Sequence, residues 1–242
     1  MELCSHSLQN VLQHKPQVFG RQPEEPMNSI EFYISCHIFK EILECVQYLH
    51  ELNPPVIHRD LKPDNILVAL NVTNRRYFKL GDFGLATVHD RNIHSMTNNK
   101  HTGDVGDIIY QAPEVAYNAK YDHRVDIYSL SKIGEEIFGL NFNDKLTNNT
   151  NNEVLGKRVL KLQDLLQSMS YYNWDHPHKP GPHWTDRPEC SQVLSEYNLC
   201  DNKVSYALDG GRELGAHGPT GPSNLSYFDD RIKYGTYDEY NR

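Results

Sequence analysis

The sequence predicts a mainly α protein, a helical bundle with short β-hairpins set into it, and three observations carry that reading. Residues 29–52 place Ile30, Ile34, Ile38, Ile42, Cys45 and Leu49 at three- and four-residue steps, the spacing of one helix face. Two further stretches, 124–138 and 154–169, are amphipathic at the same spacing, the first through Val125, Leu130, Ile133 and Ile137. Strand-like runs are few and short: Ile66-Leu67-Val68 and Tyr77-Phe78-Lys79-Leu80, joined by turn-prone residues 71–76.

Taken in order, the long helix has Ser29 at its start as a cap, Phe32 opening its apolar stripe, and Asn53-Pro54-Pro55 ending it. The strand pair follows, then a loop, then the helix over 124–138. Residues 141–152 hold six asparagines and read as an exposed loop. The helix over 154–169 comes next, and a last one spans 188–197. Beyond residue 200 the chain is rich in Gly, Ser, Asp and Tyr without an apolar period, which predicts a disordered C-terminal tail over 201–242 and one folded unit over 1–200. There are no internal repeats.

A formal charge of −8 gives no basic footprint, so nucleic acid is set aside as a partner. The five cysteines are odd in number and lack CxxC spacing, and Cys36 and Cys45 sit in the long helix as buried reduced thiols; this favours a reducing, cytoplasmic setting. No basic-then-apolar leader opens the chain and no run of eighteen apolar residues occurs, so these residues encode neither secretion nor a membrane segment. The sequons at Asn71, Asn148 and Asn224 then read as chance matches. His176, His178 and His183, interleaved with prolines, read as a polar loop rather than a metal site.

Chemistry concentrates in two motifs, His58-Arg59-Asp60-Leu61-Lys62-Pro63-Asp64-Asn65 and Asp82-Phe83-Gly84, with the strand pair between them. In this order they resemble the catalytic loop and the magnesium-binding loop of eukaryotic protein kinases. The sequence of elements is similar to the large, C-terminal lobe of that family from the hinge onward, its hairpins at the catalytic cleft. The resemblance is dense over 1–138 and patchier to 200. It implies phosphoryl transfer from ATP with Mg2+ to the hydroxyl of a protein substrate. Asp60 would accept the proton, Lys62 would stabilise the transferred phosphoryl group, and Asn65 and Asp82 would hold magnesium, with Gly84 letting the backbone bend. Met1-Glu2-Leu3-Cys4 resembles the hinge, so Glu2 and Cys4 would meet adenine, Leu67 would floor its pocket, and residues 7–12 would form the small helix that follows. Arg59 would receive a phosphate on the activation loop, where Ser95, Thr97 and Thr102 are candidate sites. Glu114 of Ala112-Pro113-Glu114 would pair with Arg187, and Asp126 would accept backbone hydrogen bonds from the catalytic loop. The HRDLKPDN form resembles the serine/threonine kinases, nearest to the translation initiation factor 2 alpha kinases or the inositol-requiring stress kinase, which implies a stress response.

The pattern also breaks. If Met1 stands at the gatekeeper, the small lobe is missing from these residues: no glycine-rich loop, no strand lysine, no helix glutamate to pair with it. His58 and Phe83 would then face water, and the expectation is a truncated form with little activity alone, any kinase dimer forming through a missing region. Asp107 replaces the usual threonine and would set a negative charge near Asp60; Ser131 replaces a usual glycine. The alternative function is a non-catalytic, kinase-like binding or regulatory module.

Overall fold

The computed structural model describes residues 4–22, 25–73, 76–88, 107–116, 121–140, 153–172 and 183–201. The asparagine-rich loop, the candidate phosphosites Ser95, Thr97 and Thr102, residue Glu2 and the 202–242 tail lie outside the described residues.

The chain opens with β1 (Cys4–Ser7) and α1 (Leu8–Val18), where Asn10 Oδ1 accepts from the Ser7 amide and hydroxyl at 3.0 Å each. Then comes α2 (Ser29–His50). Its cap is Asn28, not Ser29: the Asn28 side chain accepts from the Glu31 amide at 2.8 Å, and Ser29 is already helical. The expected narrow stripe is also corrected. Ile30 is exposed and Cys45 only partly buried, while Phe32, Cys36, Phe39, Leu43 and Val46 join Ile34, Ile38, Ile42 and Leu49 in the core. The helix is buried over most of its circumference because the strand Arg76–Leu80 and the helices Arg124–Phe138 and Cys190–Asp201 all pack against it.

A short strand, β2 (Val56–Ile57), leads to a 3-10 turn at Pro63–Asn65, then β3 (Ile66–Thr73) and β4 (Arg76–Leu80). The strand runs on through Thr73 where a turn over 71–76 was expected; a register irregularity between Val68 and Thr73 absorbs the turn-forming residues. The sheet order is β1-β3-β4, all antiparallel, and β2 pairs with β5 (Thr87–Val88). A one-turn helix missed in the sequence, α3 (Pro113–Ala116), precedes α4 (Arg124–Phe138). Gly139 ends α4 at φ 58, a left-handed conformation glycine adopts without a Cβ penalty, while the Leu140 amide bonds Glu135 O at 2.8 Å. The helices α5 (Glu153–Met169) and α6 (Cys190–Asp201) complete the core; α6 starts two residues later than expected and runs further. One apolar cluster joins α1, α2, α4, α5 and α6, and a smaller one gathers Ile57, Ala112, Val115, Tyr121 and Val125 beneath the loop that follows β2.

Candidate active site

The loop over 58–65 hangs from a single carboxylate. Asp126, in the first turn of α4, accepts from the His58 and Arg59 amides at 2.9 Å each and from His50 Nε2 at 2.9 Å, and it is fully buried. Burial alone would raise its pKa, but the His50 contact and the two amides outweigh it and hold the carboxyl below its usual range. With its amide committed, Arg59 adopts φ 67, and its side chain turns away to donate to Leu85 O at 2.5 Å and Tyr121 Oη at 3.3 Å. His58 does not face water as expected: it is fully buried, its Nε2 3.0 Å from Gly81 O and its ring 4.9 Å from that of Phe83. Phe83 is 48% exposed.

On the other side of this turn three side chains meet. Asn65 Nδ2 donates to Asp60 O at 2.8 Å and to Asp60 Oδ2 at 2.9 Å, and Lys62 Nζ stands 3.5 Å from the same oxygen. The second motif arrives through the sheet. Ile66 pairs with Leu80, so the chain before β3 and the chain after β4 emerge side by side, and the Gly81 amide donates to Asn65 O at 2.8 Å. Asp82 follows, at φ 54, with Oδ1 accepting from the Gly84 amide at 3.2 Å. The left-handed residue of this motif is Asp82, and Gly84 lies in the 3-10 turn Phe83–Leu85. What Gly84 supplies is room, since a Cβ there would lie 3.1 Å from Asp82 Oδ1.

Leu67 lies in the central strand opposite Ser7, and its Cδ1 would be 2.9 Å from a Cβ at Gly81; Cys4 pairs with Ala69. Glu114 in α3 receives Arg187 Nη1 at 2.5 Å and Nη2 at 2.9 Å, both side chains buried. Asp107 folds back on its own turn, accepting from the Ile109 amide at 3.1 Å. Ser131 is buried and donates to Tyr128 O at 2.7 Å. His183 caps a 3-10 turn at Trp184–Asp186; His176 and His178 lie outside the described residues. Among the described residues no group of three or more His, Cys, Asp or Glu could hold a metal, and no helix is long and apolar enough to cross a membrane.

Motif reading missed the layer beneath. His50 touches Cys190 Sγ through Nδ1 at 3.9 Å and stacks edge-on to His123 at 4.8 Å, and His123 Nε2 is 2.5 Å from Glu189 Oε2. Near the loop, Tyr110 donates to Glu136; burial first, then that carboxylate, pushes the phenol above its ordinary pKa. These residues stand up to 140 positions apart, so no local spacing signals them.

Comparison with known proteins places this geometry in a class. The Protein kinase domain family matches residues 1–201, and the chain belongs to that family. Its relatives include serine/threonine kinases. It is 39% identical over 114 residues to eukaryotic translation initiation factor 2-alpha kinase 3 of Rattus norvegicus, covering 44% of this chain and 10% of that protein. It is 31% identical over 218 residues to the meiotic mRNA stability protein kinase SSN3 of Saccharomyces cerevisiae, covering 88% of this chain and 36% of that protein. To the serine/threonine-protein kinase SSN3 of Eremothecium gossypii it is 28% identical over 224 residues, 89% of this chain and 34% of that protein. The chain thus spans between a tenth and about a third of these relatives' length.

Proposed function

We propose that the chain is the large lobe, over residues 1–200, of a serine/threonine protein kinase that transfers phosphate from MgATP to protein hydroxyls. The observation that carries this reading is the convergence of Asp60, Lys62 and Asn65 on one oxygen, with Asp82 brought alongside by the Gly81–Asn65 bond. Asp60 is the base and orienter of the incoming hydroxyl. Lys62 supplies the positive charge for the phosphoryl oxygens. Asn65 spends its Nδ2 hydrogens on Asp60, and this leaves Oδ1 as an amide oxygen with no donor among the described residues. With the Asp82 carboxylate that makes a set of hard oxygen donors, which fits magnesium. A magnesium ion bound there would neutralise phosphate charge. Leu67, Cys4 and Glu2 are assigned to the adenine end, and Ser95, Thr97 and Thr102 to regulation through Arg59. The likeness to an initiation factor 2-alpha kinase supports that branch, and a stress-responsive role is what membership of the branch would imply. Among the described residues Cys4, Cys36, Cys45 and Cys190 form no disulfide.

The test is transfer of radiolabelled phosphate from MgATP to a protein acceptor, by the 242-residue chain and by a form extended through its upstream reading frame. The 242 residues contain no glycine-rich phosphate loop. Each absent electrostatic donor costs about 2.7–4 kcal/mol of transition-state stabilisation, so the chain by itself is expected to be nearly inactive and the extended form active. Asp60→Asn in the extended form should lose roughly 100- to 10,000-fold in kcat. Transfer that survives this substitution undiminished would rule out the assigned base, and no transfer in any form favours the binding module.

A further inference from the structure

Beneath the 58–65 loop the ends of three helices meet through a chain of polar side chains that leads into Asp126 and that the phosphoryl-transfer reading does not otherwise use. Glu189, at the entry to α6, holds His123 Nε2 through Oε2 at 2.5 Å and Arg124 Nη2 through Oε1 at 2.5 Å. His123 and Arg124 stand at the start of α4, and Arg124 Nη1 also pairs with Asp122 at 2.6 Å. The next residue of α6, Cys190, touches His50 at the end of α2, and His50 donates into Asp126, the acceptor for the His58 and Arg59 amides. We propose that the His123–Glu189 pair is a proton-dependent latch that clamps α6 against the ends of α2 and α4 and so sets how firmly the 58–65 loop is held. This rests on the kinase reading only where it concerns activity.

The groups that act on His123 are Glu189 at the entry to α6, Asp122 and Arg124 on either side of it in the chain, and the His50 ring at the end of α2, while Asp126, Glu189 and Glu51 act on the neighbouring Cys190. Burial disfavours the imidazolium, yet the Glu189 bond and charge, with Asp122, raise the His123 pKa overall. Glu189 is correspondingly lowered, through its His123 bond first. A charged His123 therefore gives Glu189 two cations to bridge; once His123 is neutral, Arg124 is the bridged cation left among the described residues, and the α6 entry loosens. The signs agree: the raised histidine contributes below its unfolded pKa and is lost as pH rises through its folded pKa, and the lowered glutamate contributes above its own unfolded pKa. The latch is complete between those limits, roughly pH 4.5 to 6.5, and opens on the alkaline side.

The test is hydrogen–deuterium exchange of the peptide carrying the His58 and Arg59 amides across pH 5.5–8.5, corrected for intrinsic exchange, on the full chain and on His123→Gln and Glu189→Gln. Protection in the parent should fall about two- to fivefold across the window, the scale of one partly exposed ion pair, and both variants should give a flat, low profile. Protection independent of pH in the parent overturns the latch, and so does a variant that keeps the parent's slope. The kcat–pH profile of the extended form is the second arm. A sloping exchange profile without any phosphotransfer would sink the kinase reading and leave the latch standing.

Discussion

Asp126 binds three donors with two oxygens while wholly out of water, and two of those donors are the backbone of the loop that carries Asp60. Asp126→Asn replaces one acceptor oxygen with an NH2 that must face either an amide hydrogen or His50. Breaking a buried charged partner of this kind costs about 3–5 kcal/mol, so the variant should unfold at markedly lower urea and lose the positive-φ conformation of Arg59. A midpoint unchanged from the parent would show that the loop is held elsewhere. Lys15 is the opposite case, a buried cation whose presence costs stability. Burial first, then Arg21, lowers its pKa to about 8 against the pull of Glu31, and Nζ donates to Ser35 Oγ at 3.0 Å and to Ile137 O. Between about pH 8 and 10.5 the unfolded chain then binds the extra proton, so stability rises with pH, by at most on the order of 3 kcal/mol. Lys15→Met should remove that rise, and Glu31 keeps Arg21 at 3.0 and 3.1 Å. Urea midpoints of both proteins across pH 7.5–10.5 check it; parallel curves would refute the assignment. The contrast explains what the sequence disclosed. Asp60, Lys62 and Asn65 are neighbours in the chain and could be read as a unit, whereas Lys15 and His50 take their character from residues up to 122 and 140 positions away.

At the scale of elements, ends marked by a stop signal were legible and the extent of each buried face was not. The helix α4 was read to both ends because Gly139 stops it in a conformation few other residues accept, although Ile127, Ser131 and Phe138 widen its buried face beyond the stripe that the spacing picked out. The helix α2 was placed correctly but its buried face was underestimated, since partners on several sides turn a stripe into a nearly continuous apolar surface. The extension of β3 could not be read: Asn71 disfavours a strand by preference, and pairing with β4, which reaches Thr73, overrides it. Gly134 shows how close the helices come. A Cβ there would stand 2.5 Å from Leu166 Cδ2 and 3.2 Å from the Phe39 ring, so α2, α4 and α5 meet at a point with no room for a side chain. Gly134→Val adds three carbons at that point. Overpacking costs about 1–3 kcal/mol and outweighs the tenths gained in helix propensity. Thermal unfolding should show a Tm several degrees lower; a variant as stable as the parent would mean that Leu166 simply swings aside.

Across the whole molecule, one side chain joins what the helices alone leave separate. Arg187 is among the largest fully buried side chains. It clamps Glu114 with both terminal nitrogens, donates to Tyr171 O at 2.9 Å and Arg124 O at 3.1 Å, and lies 5.1 Å over the Tyr128 ring. It therefore ties α3, the start of α4, the end of α5 and the entry to α6 into one body, and it borders the smaller apolar cluster around Val115, Tyr121 and Val125. Arg187→Met should leave Glu114 as a buried carboxylate without its cation and cost about 3–5 kcal/mol. Adding Glu114→Leu removes the stranded charge, and the double variant should regain a large part of the loss, because an apolar pair of similar volume needs no counter-ion. Urea unfolding of the parent, both single variants and the double variant gives the coupling energy directly. A double variant as unstable as the sum of the singles would mean that the two residues act independently and that α3 is held by its apolar contacts alone.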